Sequence, residues 1–321
     1  GLMELREEIR KYLIRKLNVE YDPKDEMIIT VGGSEGIDIA LRAMIDSDDE
    51  VLIPQPSYVS YEPCTILAGG NPIIIDLKAE DGFKLKADQI LEKITDKTKI
   101  LILPFPNNPT GSILNIDELK DIAKVCIEKD LYVISDEIYC ELTYEGEHAS
   151  IVQIEGMKER TILINGFSKS YAMTGWRLGY ATGPKEIIAQ MTKIHQYAIM
   201  CAPTTSQYAA VEALIHGDIE VAKMRESYNQ RRRYLLHRFE ELGMTCFEPQ
   251  GAFYVFPSIK KFNMTSEEFA TKLLEEQKIA IVPGTAFGDS GEGYVRVSYA
   301  YSMERLKEAL SRIEKFVRSL S

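Results

Sequence analysis

Apolar residues recur at helical spacing from Leu2 to Leu17, with Glu, Arg and Lys between them. This pattern predicts an amphipathic helix, which Asp22-Pro23 brings to an end. The period then changes. Met27-Ile28-Ile29-Thr30-Val31 is a short continuous apolar run, and similar runs recur at Val51 to Ile53, Ile73 to Ile75, Ile100 to Leu103, Leu131 to Ser135, Thr161 to Ile164 and Leu178 to Ala181. Runs this short and this apolar predict buried strands. Between them, Ile37 to Ile45 and Ala87 to Ile94 carry helical spacing, and Asn115 with Glu118 forms a capping box ahead of another helix.

Past residue 182 the rhythm shifts again. Helical stretches follow Pro184, span Thr205 to Ile215, and fill the long charged segment Ile219 to Leu242. Strands are predicted at Ala252 to Phe256, Ala280 to Val282 and Tyr294 to Ser298, with helices between and a last one at Met303 to Leu320. Strands alternating with helices argue for a mostly parallel α/β sheet; the later pattern argues for a smaller α+β unit. The expected boundaries are a helix in 1–22 packing with the small unit, a large unit in 23–217, and the small unit in 218–321.

Composition narrows the class of function. The chain has 321 residues, 45% hydrophobic and 27% charged, so a large core is available, and its formal net charge is −11. Such acidity disfavours a nucleic-acid partner, which needs basic patches to neutralise phosphates. Arg231-Arg232-Arg233 is the one basic triplet, and its helical context predicts a solvated or interface face. Five cysteines without a CxxC pair fit a reducing, cytoplasmic compartment and argue against a disulfide scaffold or a zinc site. No apolar run approaches the roughly 20 residues that a membrane span requires.

Candidate chemistry gathers at predicted strand ends, where open α/β sheets place ligands. Gly32-Gly33-Ser34-Glu35-Gly36 lies between a strand and a helix, an arrangement that can cradle an anion, although it has neither GxGxxG spacing nor a Walker lysine. Tyr58 follows another strand, as stacking surface or packing aromatic. Pro106-Asn107-Asn108-Pro109 is a rigid turn that can aim the Asn108 amide into a crevice. Asp136 closes a strand and is either a ligand carboxylate or a helix-start aspartate, with Tyr139 three residues on. Lys169 lies in Asn165 to Tyr180, reading NGFSKSYAMTGWRLGY, and Arg177 follows eight positions later. Arg296 interrupts an apolar strand and must meet a carboxylate or lie on an exposed face. An amine nucleophile, a phosphate-sized cation and a carboxylate at a strand end together suggest a Schiff-base cofactor.

These motifs taken together (PSY at Tyr58, NNPTG, SDEIY, NGFSKSYAMTGWRLGY, GAFYVFP, VPGTAFG and YVRVSYA) resemble the class I, fold-type I pyridoxal-phosphate-dependent aminotransferases, of aspartate or aromatic type. The resemblance spans nearly the whole chain. It implies a mostly parallel seven-stranded sheet sandwiched by helices, a smaller α+β C-terminal domain, and pyridoxal 5'-phosphate held in the large domain. It implies that Lys169 is the Schiff-base lysine and proton carrier, Asp136 the partner of the pyridine nitrogen, and Asn108 and Tyr139 donors to the ring's phenolic oxygen. Tyr58 would stack on the ring. Gly33, Ser34 and Glu35 backbone N–H groups, with Ser168 and Arg177, would hold the phosphate, provided the Glu35 side chain turns away from it. Arg296 would take the substrate α-carboxylate, and Asn108 would also border the substrate.

The implied reaction exchanges an amino group between an L-amino acid and a 2-oxo acid, of aspartate, aromatic or N-acetyl-diaminopimelate type. A carbon–sulfur β-lyase on the same cofactor is an alternative, and a non-catalytic effector-binding domain a more distant one. A homodimer with the active site at its interface is implied, with His195 through Pro203 as one edge. No second arginine for a dicarboxylate stands out. Two departures are visible. The family usually has several dozen residues ahead of the helix that starts here at Leu2, and Gly166 stands where some relatives have a phosphate-binding hydroxyl.

Overall fold

The computed structural model of the chain describes residues 1–320. Strands β1 (Met27–Thr30), β2 (Glu50–Gln55), β3 (Asn71–Asp76), β4 (Thr98–Leu103), β5 (Tyr132–Asp136), β6 (Thr161–Gly166) and β7 (Gly179–Thr182) form one sheet in the order β1-β7-β6-β5-β4-β2-β3. β7 runs antiparallel to both its neighbours, and every other pairing is parallel.

The continuous apolar runs have a direct cause. Successive strand residues point to opposite faces, and both faces are covered. Leu101, Leu103, Val133 and Leu163 enter one apolar layer, while Ile100, Ile102, Ile134, Ile162 and Ile164 enter the other. Helices α1 (Met3–Leu17), α4 (Ala87–Lys93), α5 (Ile116–Glu128) and α7 (Thr204–His216) supply the first layer. Helices α2 (Gly32–Met44), α3 (Tyr61–Leu67) and α6 (Lys185–Ala198) supply the second. The predicted capping box starts α5: the Asn115 side chain accepts the Asp117 and Glu118 N–H groups, and Glu118 accepts that of Asn115 at 2.8 Å.

Helix α1 corrects one expectation. Leu5, Ile9, Leu13 and Leu17 join the layer of the seven-stranded sheet together with Val211 and Leu214 of α7, not the core of the C-terminal unit. An amphipathic stripe says which face is buried but not what buries it.

The C-terminal part comprises α8 (Asp218–Glu241), α9 (Ser266–Gln277), α10 (Met303–Ser319) and an antiparallel sheet β8-β10-β9. Its strands are β8 (Tyr254–Val255), β9 (Val282–Pro283) and β10 (Val295–Ser298), and its core includes Leu235, Phe239, Val255, Phe269, Leu310 and Phe316. β8 is shorter than the apolar run Ala252 to Phe256 because Ala252 adopts a left-handed φ of 60°, which leaves the extended ladder. The basic triplet is corrected at its middle residue alone, since Arg233 is exposed as expected. Arg232 is buried, bonded to Glu145, Glu248 and the Pro249 carbonyl, and its guanidinium lies 5.2 Å from the centre of the Tyr144 ring. It ties α8 to the loop after β5 instead of facing solvent.

Candidate active site

Five chain segments leave strand ends over the carboxyl edge of the large sheet, and β10 of the smaller sheet meets them there. There Gly33, Ser34, Tyr58, Asn108, Asp136, Tyr139, Ser168, Lys169, Arg177 and Arg296 line one cavity of about 240 Å³. Of the residues expected at the site, only Glu35 is absent from this wall.

Lys169 sits on the loop between β6 and β7. Buried Phe167 anchors that loop: its carbonyl accepts the N–H groups of Tyr171 and Met173, and its own N–H bonds the Leu178 carbonyl. The Thr174 hydroxyl closes it further on the Ser168 carbonyl at 3.0 Å. The Lys169 Nζ lies 5.6 Å from the centre of the Phe253 ring and 5.9 Å from that of Tyr139. Burial lowers its pKa, and the charges of Arg296 and Arg177 lower it further. Both effects favour the neutral, nucleophilic amine.

Asp136 ends β5, and its two carboxylate oxygens have separate partners. One accepts the Ile138 N–H at 3.2 Å and the other the Tyr61 hydroxyl at 2.7 Å. Burial raises the Asp136 pKa, against the opposing pull of those two bonds. A nearly buried carboxylate with no cation bonded to it is primed to take one, and a protonated pyridine nitrogen is such a cation. Tyr61 was not singled out in the sequence. It sits at the start of α3 and reads as a core aromatic, which by burial it is. The available signal was its position three residues after Tyr58, across the turn that leads into α3. Tyr58 and Tyr61 meet edge to face with ring centres 5.6 Å apart.

Tyr139 bonds the Tyr254 hydroxyl at 2.9 Å, and Tyr254 is a second wall residue that the sequence did not mark. Arg296, on β10, is held between two rings, 4.3 Å from the centre of Tyr254 and 4.7 Å from that of Phe287. It meets no carboxylate. Its Nη1 donates to the Asn108 carbonyl oxygen at 2.8 Å, while its buried Nε has no partner. This contact also fixes the Asn108 amide: the oxygen is engaged by Arg296, which leaves the NH₂ group to donate into the cavity. The neighbouring Asn107 is structural, accepting the Thr110 hydroxyl at 2.8 Å.

The anion cradle depends on absent side chains. A Cβ on Gly32, whose φ is +77°, would lie 2.7 Å from Arg177 Nη2, so the guanidinium packs directly on the turn that starts α2. A Cβ on Gly179 would lie 2.6 Å from the Gly32 carbonyl carbon. Gly166 pairs with Gly179 across β6 and β7, and a Cβ there would lie 2.9 Å from the Gly179 Cα. A hydroxyl-bearing residue at 166 therefore does not fit in this chain, which accounts for that departure from the family pattern. Glu35 turns back from the mouth: its carboxylate accepts the Val31 N–H and the His195 Nδ1–H, the latter at 2.6 Å. The free N–H groups at the start of α2, Arg177, the Lys169 amine and the cation-free Asp136 together fit a phosphorylated pyridine aldehyde such as pyridoxal phosphate.

Of the segment expected as an interface edge, His195 is buried within the chain itself. The residues beyond it are open, with Tyr197 93% and Met200 79% exposed.

The family model for aminotransferase class I and II matches residues 1–313. A putative aminotransferase of Bacillus subtilis is 49% identical over 317 residues, covering 99% of this chain and 82% of the relative. A probable N-acetyl-LL-diaminopimelate aminotransferase of the same organism is 46% identical, covering 99% and 80%. Among solved structures, the aromatic aminotransferase of Pyrococcus horikoshii superposes with a TM-score of 0.98 at 44% identity, covering 100% of this chain and 87% of that one.

Proposed function

The chain belongs to the class I and II aminotransferases, and from that premise we propose which residues do its chemistry and what kind of amino acid it takes. It is a pyridoxal-phosphate-dependent enzyme that moves an amino group between an amino acid and a 2-oxo acid. Bound pyridoxal phosphate supplies an electron sink for the carbanion formed at the substrate α-carbon. Lys169 would hold the cofactor covalently, and its amine would carry the proton taken from the substrate α-carbon. The Asp136 carboxylate keeps the pyridine nitrogen protonated, and the Tyr61 hydroxyl orients it. The Asn108 NH₂ and Tyr139 hydroxyl donate to the phenolic oxygen, and Tyr58 covers the ring face. The Gly33, Ser34 and Glu35 N–H groups, with Ser168 and Arg177, hold the phosphate.

The observation that carries the substrate reading is Arg296, a guanidinium held between two rings with a buried donor left over. A planar fork so placed suits a carboxylate, and the amino-acid α-carboxylate is the one every substrate brings. The same wall also carries the apolar surfaces of Tyr254, Ile37 and Ile138. This supports donors whose side chain carries no second carboxylate, aromatic ones before aspartate. Stopped-flow spectra of the loaded enzyme with single amino acids test this. Discharge by phenylalanine or tyrosine faster than by aspartate is expected, and the reverse order overturns it. Arg296→Gln should raise KM for every donor roughly 10- to 150-fold, the worth of a charged hydrogen-bonded pair, with a smaller change in kcat. An unchanged KM would remove Arg296 from the substrate.

The aminotransferase names of the matched relatives disfavour the β-lyase alternative. The exposed apolar residues Trp176, Tyr197, Ile199, Met200 and Tyr208 support a homodimer through this surface. Sedimentation at micromolar concentration should give twice the chain mass, and a lone monomer rejects the pairing. Five free cysteines support a reducing, cytoplasmic setting. No helix among the described residues is long and apolar enough to cross a membrane.

A further inference from the structure

The phosphate cradle has an acid built into it. Glu35 lies in the first turn of α2, and its carboxylate is tied to the N–H of Val31, the residue that starts the helix. Val31 offers no side-chain cap, so the N–H groups of the first turn stay free, and the carboxylate accepts only the N–H just ahead of them. The same turn is proposed to receive a phosphate dianion on its backbone N–H groups. An uncompensated carboxylate there would repel the ligand the turn is shaped to hold.

His195 supplies the compensation. It comes from α6, which packs on α2, and its Nδ1 lies 2.6 Å from Glu35 Oε1, with side-chain exposures of 6% for the histidine and 11% for the glutamate. No other charged group among the described residues bonds either side chain. On α2, Asp38 and Arg42 pair with each other. On α6, Lys185 pairs with Asp25 and Lys193 bonds Gln190, while β1, beside both helices, carries no ionisable group. Arg177 lies across Gly32 and bonds the Thr174 carbonyl.

We propose that His195 and Glu35 form a proton-linked counter-ion pair beneath the cofactor phosphate, so that the dianion binds best when the imidazole is charged. The inference rests on the reading of the α2 N-terminus as the phosphate site. With the proton on His195 the pair is neutral overall. With the proton gone, the imidazole still donates to Glu35, and one net negative charge remains beside the phosphate. Phosphate binding and proton uptake at His195 therefore favour each other by the same factor. His195 acts through Glu35 and touches no reacting atom, so it is a positioning residue.

Pyridoxine 5'-phosphate is a suitable probe, because it lacks the aldehyde and cannot react with Lys169; pyridoxine lacks the phosphate as well. Calorimetric titrations of the cofactor-free protein with both, between pH 6 and 8.5, give affinity and proton uptake, each referred to the ester's dianion, whose own last proton leaves near pH ~6. In the wild type, phosphate-dependent affinity should fall over that range, with proton uptake on binding, since the two events favour each other by the same factor. His195→Gln should lower affinity at pH 6 to the level the wild type shows at pH 8.5 and flatten the profile relative to wild type. Glu35→Gln should act oppositely and bind the phosphate ester more tightly than wild type at pH 8.5. A purely structural pair would weaken both variants at every pH, and that result, or parallel profiles in all three proteins, overturns the proposal. If His195→Gln does not fold, the Glu35→Gln profile decides alone. If pyridoxine 5'-phosphate binds no better than pyridoxine in the wild type, the phosphate site itself has been misplaced, a separate failure.

Discussion

Lys169→Met should leave a folded protein that cannot hold its cofactor covalently and has lost transamination by roughly 10⁴-fold or more, since positioned proton transfer alone is worth ~10²–10⁴. Methionine keeps the length and apolar stem of lysine, so the packing against Phe253 and Tyr139 is retained while the amine is removed. Borohydride treatment of the loaded wild type should fix the cofactor's mass to the chain; the same treatment of the variant should not. A fixed label in the variant would mean that another amine does the work.

The variant carries a second expectation, with the opposite sign. Burial and two nearby guanidinium groups lower the Lys169 pKa in the folded chain. The unfolded chain takes up its proton near the ordinary lysine value, roughly 10.4. Below that pH the unfolded state binds the proton more readily, so the lysine destabilises the cofactor-free fold, fully so once pH drops below the folded pKa. The variant should therefore melt higher than wild type near neutrality, and the difference should vanish above about pH 10.4. Equal melting temperatures at neutral pH would mean that the amine is solvated in the fold and not held ready as a nucleophile.

Much of this was legible in the sequence, for identifiable reasons. Strands buried on both faces produce unbroken apolar runs, and several of these runs lead into a polar residue of the cavity: Asp136 after Ile134, Asn108 after Leu103, Lys169 after Ile164. What could not be read were side chains whose partner lies far along the chain. Tyr61 looked like any helix aromatic until Asp136 was set against its hydroxyl, 75 positions away in sequence. Tyr254 stood in an apolar strand and gave no sign that its ring would lie under Arg296. Glu35 and His195, 160 positions apart, carried no local pattern that paired them. The buried Arg232 and the placement of α1 failed for the same reason: local period reports exposure, and only the fold supplies the partner.

Asp136→Asn should separate function from stability most sharply. Asparagine keeps the shape of the side chain, and it can accept the Ile138 N–H while its NH₂ donates to the Tyr61 oxygen, but it cannot balance a charged pyridine nitrogen. Removing one partner of a buried ion pair costs roughly 3–5 kcal/mol, which corresponds to a loss of roughly 10²–10³·⁵-fold in the rate of the proton-abstraction half-reaction. The cofactor-free protein should respond in the other direction. Burial raises the Asp136 pKa, so the folded chain holds its proton more tightly than the unfolded chain, whose carboxyl titrates near ~3.9. As pH rises through that value the unfolded state ionises first and the fold loses stability; the loss is complete above the folded pKa. Asp136→Asn should accordingly match wild type in strong acid and melt higher at neutral pH, but only while the cofactor is absent. With cofactor bound, the wild-type carboxylate has its cation, and the order should reverse. Thermal melts of both proteins, loaded and unloaded, at pH 3.5 and 7.5 give the four comparisons, and a variant less stable than wild type when unloaded at pH 7.5 would contradict the electrostatic account. Lys169 and Asp136 are thus both placed where the empty fold disfavours their charged forms, one a cation and the other an anion. Each is stabilised only by what the site is shaped to receive.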